Sequence, residues 1–172
     1  DFIAGHPMAG GEKEGYVHSS GAFFQKRNYI LMPRPENKAE NVAAFKNLIS
    51  ALGFTRIIET DYKTHDHKIA FTSQLCHIIA SALVDSAEDN NITAFGGGSY
   101  EDLTRIAMIN APLWTELFLS NKEELLGHIS AFEKSLQNFT AALEKNDAEA
   151  LTKTLERVRA KRMAMSCIDT TL

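Results

Sequence analysis

The chain has 172 residues, 44% of them hydrophobic, and a formal net charge of −4. That is enough apolar material for the core of one ordinary globular domain or one and a half, and the mild acidity excludes a general drive toward nucleic acid or an anionic membrane. The two cysteines, Cys76 and Cys167, are far apart and in no metal-type spacing; no apolar run reaches membrane-span length, and no signal peptide opens the chain, so the expected setting is a reducing cytoplasm.

The first sixty residues mix strand and helix signals. Phe2-Ile3-Ala4 reads as a short strand running into Gly5-His6-Pro7, and Tyr29 to Met32 as a second, stopped by Pro33 and Pro35. From Glu40 to Leu52 the apolar positions Val42, Phe45, Leu48, Ile49 and Leu52 keep a helical period, and Gly53 suits the cap. Thr55 to Glu59 reads as a third strand, which makes strand, helix, strand a βαβ fragment.

Beyond Asp61 nearly everything reads as helix. One long helix is expected from Tyr62 to Asp89. After Gly96-Gly97-Gly98, Ser99 and Asp102 suggest a capping box for a helix reaching about Ile109, and Pro112 suits the first turn of a helix through Leu119. Leu125, Ile129, Phe132, Leu136, Phe139 and Leu143 alternate steps of four and three, a heptad seam. Asn146 and Glu149 suggest another capping box, and Leu151, Leu155, Val158 and Met165 continue the pattern on a returning helix. The boundary falls near residue 60: residues 1–60 are a small α/β piece and residues 61–172 an all-helical domain. A three-strand remnant with open edges, a seam with no partner, and a start at Asp1 rather than Met suggest a missing N-terminal part and a homodimer.

Three clusters carry possible chemistry. Gly5 to Glu12 holds His6 beside glycines at the end of a strand, where α/β folds bind ligands; the alternative is a Gly-rich turn with an incidental His. In the stretch from Thr64 to His77, Asp66, Ala70, Ser73 and His77 share one helix face, a polar stripe that lines a site if it faces inward. A metal is not expected there, because His65 and His67 are two apart and point to different faces. Gly96 to Ser99 lacks the Lys-Ser/Thr of a phosphate loop. Arg105 either holds a carboxylate or pairs with Asp102 or Glu101 on the surface, and Trp114 either packs or lines a site.

Jointly these motifs resemble the prephenate dehydrogenase family. The resemblance rests on Gly5-His6-Pro7-Met8-Ala9-Gly10-Gly11-Glu12-Lys13 through Gly15, the strand ending at Pro33, His65-Asp66, Ser73-Gln74-Leu75-Cys76-His77, Gly96 to Gly98, Thr104-Arg105-Ile106-Ala107 and Trp114, in that order. It implies a mainly α chain: an all-helical dimerisation domain preceded by the three-strand remnant of a Rossmann-type domain whose Gly-x-Gly-x-x-Gly segment is absent here. It implies NAD-dependent (or NADP-dependent) oxidative decarboxylation of prephenate to 4-hydroxyphenylpyruvate in tyrosine biosynthesis, with arogenate dehydrogenase as the nearest rival and a non-catalytic helical dimerisation module as the rival of another class.

By the same resemblance His6 is the base or hydrogen-bonds the substrate hydroxyl. Arg105 binds a substrate carboxylate, His77 the other end, Gly98 and Ser73 contribute nearby, and Trp114 reaches the partner subunit's site. Asp66 and Gln74 act behind these groups. The cofactor-binding residues are expected outside this sequence, so the 172 residues alone should bind the dinucleotide poorly and be inactive. The chain departs from the family where His-Leu-Pro-His is usual and Gln74-Leu75-Cys76-His77 stands, and where Gly11 replaces a Ser or Thr of some relatives.

Overall fold

A computed structural model describes residues 1–11 and 15–167, with side chains through residue 165. Glu12 and Lys13 of the first motif, and the chain end beyond Cys167, lie outside the described residues. Two compact units divide at residues 125 and 126. The chain is mainly helical, with one three-stranded sheet near its start.

The sheet has the order β1 (Ala4–Pro7), β2 (Asn28–Met32), β3 (Arg56–Glu59). β2 and β3 are parallel and joined by helix α1 (Ala39–Ala51), which is the βαβ unit read from the sequence. β1 lies antiparallel on β2, with His6 opposite Ile30 and Gly5 opposite Leu31. It begins at Ala4, two residues later than the apolar pattern suggested, because pairing with β2 rather than hydrophobicity sets its extent. The antiparallel course also places the end of β1 beside the start of β2. His6 therefore does not share the edge where the parallel strands end, contrary to the position expected from α/β sheets.

The core of this part is Leu31, Ile49 and Phe54, surrounded by Ile3, Phe24, Tyr29, Val42, Phe45 and Ile57. It is the meeting of one α1 face with one sheet face. Tyr29 sits edge-on to both Phe45 and Phe54, at ring-centroid distances of 5.9 and 5.1 Å. Its ring also covers Gly5, where a Cβ would fall 2.5 Å from it, so only glycine fits one position before His6. Gly53, at φ +96°, follows the C-cap Leu52 of α1 and turns the chain toward β3. At the other end of α1 the Asp1 carboxylate accepts from the backbone N–H of Lys38 and the amides of Asn37 and Asn41.

Asp61 ends the link from β3 and caps α2 (Tyr62–Ile69), accepting from the backbone N–H and the hydroxyl of Thr64. These bonds hold its carboxyl below the usual carboxylate value. The long helix expected from Tyr62 is real but interrupted. Ala70–Gln74 form a π-helical turn before α3 (Leu75–Asp85). It also ends at Asp85, earlier than expected, because Asp89 is used to cap a 3₁₀ stretch at Asn90–Phe95.

Helix α4 (Gly98–Thr104) starts from Gly97 without a side-chain cap, so the Ser99–Asp102 capping box does not form. The helix gives way to a 3₁₀ turn at Arg105–Ala107 instead of reaching Ile109. Asn110 caps α5 (Ala111–Ser120) by accepting from Leu113, with Pro112 in the first turn as expected.

Helix α6 (Lys122–Glu144) starts in the first unit, and the rest of it forms the second unit with α7 (Ala148–Cys167). Asn146, at φ +51°, ends α6: its N–H donates to Leu143 and that of Asp147 to Ala142, a Schellman pattern. The cap of α7 is Asp147, which accepts from Ala150, and not Asn146 as the spacing suggested. Asn146 is engaged by the preceding helix, so the next polar residue takes the cap. Along the seam, Phe132, Leu136, Leu143, Leu155, Val158 and Met165 are exposed in the single chain. No helix among the described residues is long and apolar enough to cross a membrane.

Candidate active site

Side chains from β1 and the first turns of α2 form a hydrogen-bonded row. His6 Nδ1 lies 2.9 Å from His65 Nε2, and His65 Nδ1 lies 2.8 Å from a carboxylate oxygen of Asp66. The imidazoles meet edge to face with centroids 5.2 Å apart. β1 fixes His6 through its pairing with Ile30, and the Asp61 cap starts α2 so that His65 falls one turn in. Burial, reinforced by repulsion from His65, holds His6 below the ordinary imidazole value of 6.5. At neutral pH His6 is therefore an uncharged imidazole able to accept a proton. His67, two residues from His65, bonds Glu124 at 2.6 Å, so the two histidines do face apart.

A second group gathers around His77. Its Nδ1 donates to the Ser73 carbonyl at 2.9 Å, and its ring lies 3.6 Å, centroid to centroid, from Trp114. His77 and Trp114 line a cavity of about 150 Å³ with Gly11, Ile106, Met108, Ile109, Asn110 and Leu113. The bond to Ser73 fixes a proton on Nδ1, so Nε2 is the atom left to meet a ligand. On the neutral ring that nitrogen is a hydrogen-bond acceptor.

The expected polar stripe of Asp66, Ala70, Ser73 and His77 is divided by the π-turn. Asp66 belongs to the His6 row and His77 to the Trp114 cavity, while Ala70 is buried. Gln74 is the buried strut between them. Its amide N–H donates to the Leu117 carbonyl, and its oxygen accepts from Asn121, which also donates to the Asp66 carbonyl. The distance of each bond is 2.9–3.0 Å, so Gln74 ties α2 to the turn before α6.

Arg105 is not among the residues lining the His77 cavity. It lines an open groove of about 580 Å³ with Tyr100, Glu101, Asp102, Thr104 and Met108. Met108 borders both hollows. Gly98 is exposed at the start of α4, where nothing packs against the place of a Cβ. Trp114, expected at a partner's site, lies over His77 of its own chain. Two residues of these networks had no site role assigned from the sequence. His65 stood there as half of a His-Asp pair and as a discounted metal ligand, and Asn121 had no local signal, because the elements of its two partners, Asp66 and Gln74, are brought to it only by folding.

The family model described as prephenate dehydrogenase, dimerization domain, matches residues 61–157, more than half of the chain; that of the prephenate dehydrogenase nucleotide-binding domain matches residues 1–58. The chain belongs to the prephenate dehydrogenase family. It is 32% identical to the prephenate dehydrogenase of Lactococcus lactis subsp. cremoris over 169 residues, 95% of this chain and 46% of that protein. It is 28% identical to the cyclohexadienyl dehydrogenase of Zymomonas mobilis subsp. mobilis over 170 residues, 95% of this chain and 58% of that protein. Among solved structures it is similar to Aquifex aeolicus prephenate dehydrogenase in complex with hydroxyphenyl propionate and NAD+, with a TM-score of 0.83 and 31% identity over 95% of this chain and 59% of that one. The chain spans about half the length of the curated relatives it matches. These relatives are dehydrogenases, so the family is one of oxidoreductases.

Proposed function

We propose that this chain supplies the substrate side and the dimer interface of an enzyme that oxidises and decarboxylates prephenate to 4-hydroxyphenylpyruvate on the route to tyrosine. The observation that carries this reading is His6, an imidazole kept neutral by burial and held by a second residue in a member of this family. The reaction needs a base for the substrate hydroxyl, and neutral imidazole is suited to that near pH 7. Arg105 binds a substrate carboxylate by its planar pair of N–H donors. His77, Ser73 and Trp114 hold the other end, Gly98 gives close backbone approach, and Asp66 and Gln74 keep these groups in place.

NAD or NADP would take up the hydride. The link from β2 to α1 runs through Pro33, Arg34 and Pro35 with no glycine, so this link is no phosphate cradle. These 172 residues by themselves are expected not to reduce the dinucleotide. The exposed seam along α6 and α7, in a region matched by a dimerization-domain model, supports a homodimer through these helices.

The test is turnover of prephenate and of arogenate, each with NAD and NADP, by the complete enzyme that carries this chain. Preference for prephenate, with His6→Asn lowering mainly kcat and Arg105→Ala raising mainly KM, supports the reading. Strong preference for arogenate, or the two variants showing the reverse pattern, overturns it.

A further inference from the structure

Resting on the reading of His6 as the proton acceptor, we propose that His65 is a positioning residue. It fixes His6 as the Nδ1–H tautomer and takes up the charge that His6 acquires, with Asp66 as the counter-ion.

The tautomers follow from the acceptor at the end of the row. A carboxylate oxygen of Asp66 stands 2.8 Å from His65 Nδ1, and an ionised carboxylate only accepts. His65 Nδ1 must therefore carry hydrogen. In neutral His65 that leaves Nε2 with the lone pair, and the only proton that can lie between the rings is on His6 Nδ1, 2.9 Å away. The lone pair of His6 is thereby assigned to Nε2, the nitrogen turned away from His65. Free imidazole side chains tend toward the opposite tautomer, so the row reverses a default.

The contact between His65 and Asp66 is not an accident of helix spacing. Adjacent helical side chains point about 100° apart and do not normally face one another. The Asp66 backbone is anchored by Asn121, which donates to its carbonyl at 2.9 Å. The His65 side chain is 14% exposed and that of Asp66 49%, so the row runs from a part-buried ring to a solvated carboxylate.

When the substrate O–H bond breaks, its proton forms a bond to His6 Nε2, and the electron pair stays on the substrate oxygen. The His6 Nδ1–H proton then passes to His65 Nε2. His6 is again neutral, now with hydrogen on Nε2, and the positive charge sits on His65 against Asp66.

Long-range ¹H–¹⁵N spectra of histidine-labelled chain above neutral pH read the tautomer directly. His6 is expected as Nδ1–H, turning to Nε2–H in His65→Asn, whose amide does not reach the Nε2 position. His65→Gln, whose amide oxygen does reach it, restores Nδ1–H. In the complete enzyme, His65→Asn should lower kcat at least about tenfold with KM within about twofold, and His65→Gln should recover most of the loss. Nε2–H on His6 in the unaltered chain, or an unchanged kcat in His65→Asn, overturns the inference. Failure of the reading beneath it looks different: His6→Asn would leave kcat intact whatever tautomer His6 adopts.

Discussion

The imidazole of His77 and the indole of Trp114 lie 3.6 Å apart between ring centroids, inclined by 30°. This contact joins α3 to α5 beside the small cavity. Trp114 also meets Phe118 at 5.5 Å, one turn further along the same helix. Trp114 thus packs and lines a cavity at once. Trp114→Leu is expected to cost about 1 kcal/mol of stability through the lost ring contact, and to raise KM more than it lowers kcat. Urea unfolding and steady-state kinetics check both. An unchanged KM would assign Trp114 to packing alone.

The lowered pKa of His6 sets the pH behaviour, and the sign is fixed by its cause. Burial and then His65 disfavour the charged ring, so the folded value lies below 6.5. The unfolded chain therefore binds this proton more readily. His6 costs no stability above 6.5, and stability falls as pH drops from 6.5 through the folded value. As the proton acceptor, His6 should give kcat/KM an acid limb whose midpoint also lies below 6.5. A midpoint above 6.5 would mean that His6 gains, rather than loses, affinity for its proton on folding.

Gln74 is buried at 6% exposure and makes both of its bonds inside the protein. Gln74→Leu would leave the Leu117 carbonyl and the Asn121 amide short of partners. We expect a loss of about 2 kcal/mol or more in chemical unfolding. Because Asn121 also holds the Asp66 carbonyl, kcat should fall with it while His77-dependent substrate binding changes less. A stability change without any change in kcat would separate the strut from the His6 row.

Leu136 lies in the middle of the α6 seam and is 56% exposed in the single chain. Leu136→Asp removes no core contact of the monomer but places a charge in the proposed dimer interface. Sedimentation should shift from dimer to monomer at micromolar concentration, with helix content preserved by circular dichroism. A dimer that survives unchanged would locate the interface elsewhere.

Much of the local structure was legible along the chain. The helical period from Val42 to Leu52, Gly53 at its end and Pro112 in a first turn are local constraints on φ and on one buried face, so each was readable without the rest of the molecule. The heptad seam from Leu125 to Leu143 was readable for the same reason. The order of motifs from Gly5 to Trp114 likewise carried the family, since each is a short run of fixed residue types. The capping boxes at Ser99 and Asn146 were misread, because several polar residues nearby compete for one cap and the backbone path chooses among them. The site itself needed tertiary structure. Nothing local tells that a strand residue and a helix residue 59 positions later are 2.9 Å apart, or that Asp66 and His77, on either side of a π-turn, meet His65 and Trp114 respectively. Proton position on His6 depends on that pairing and on the burial around it, and both arise only when β1, α2 and α3 are packed together.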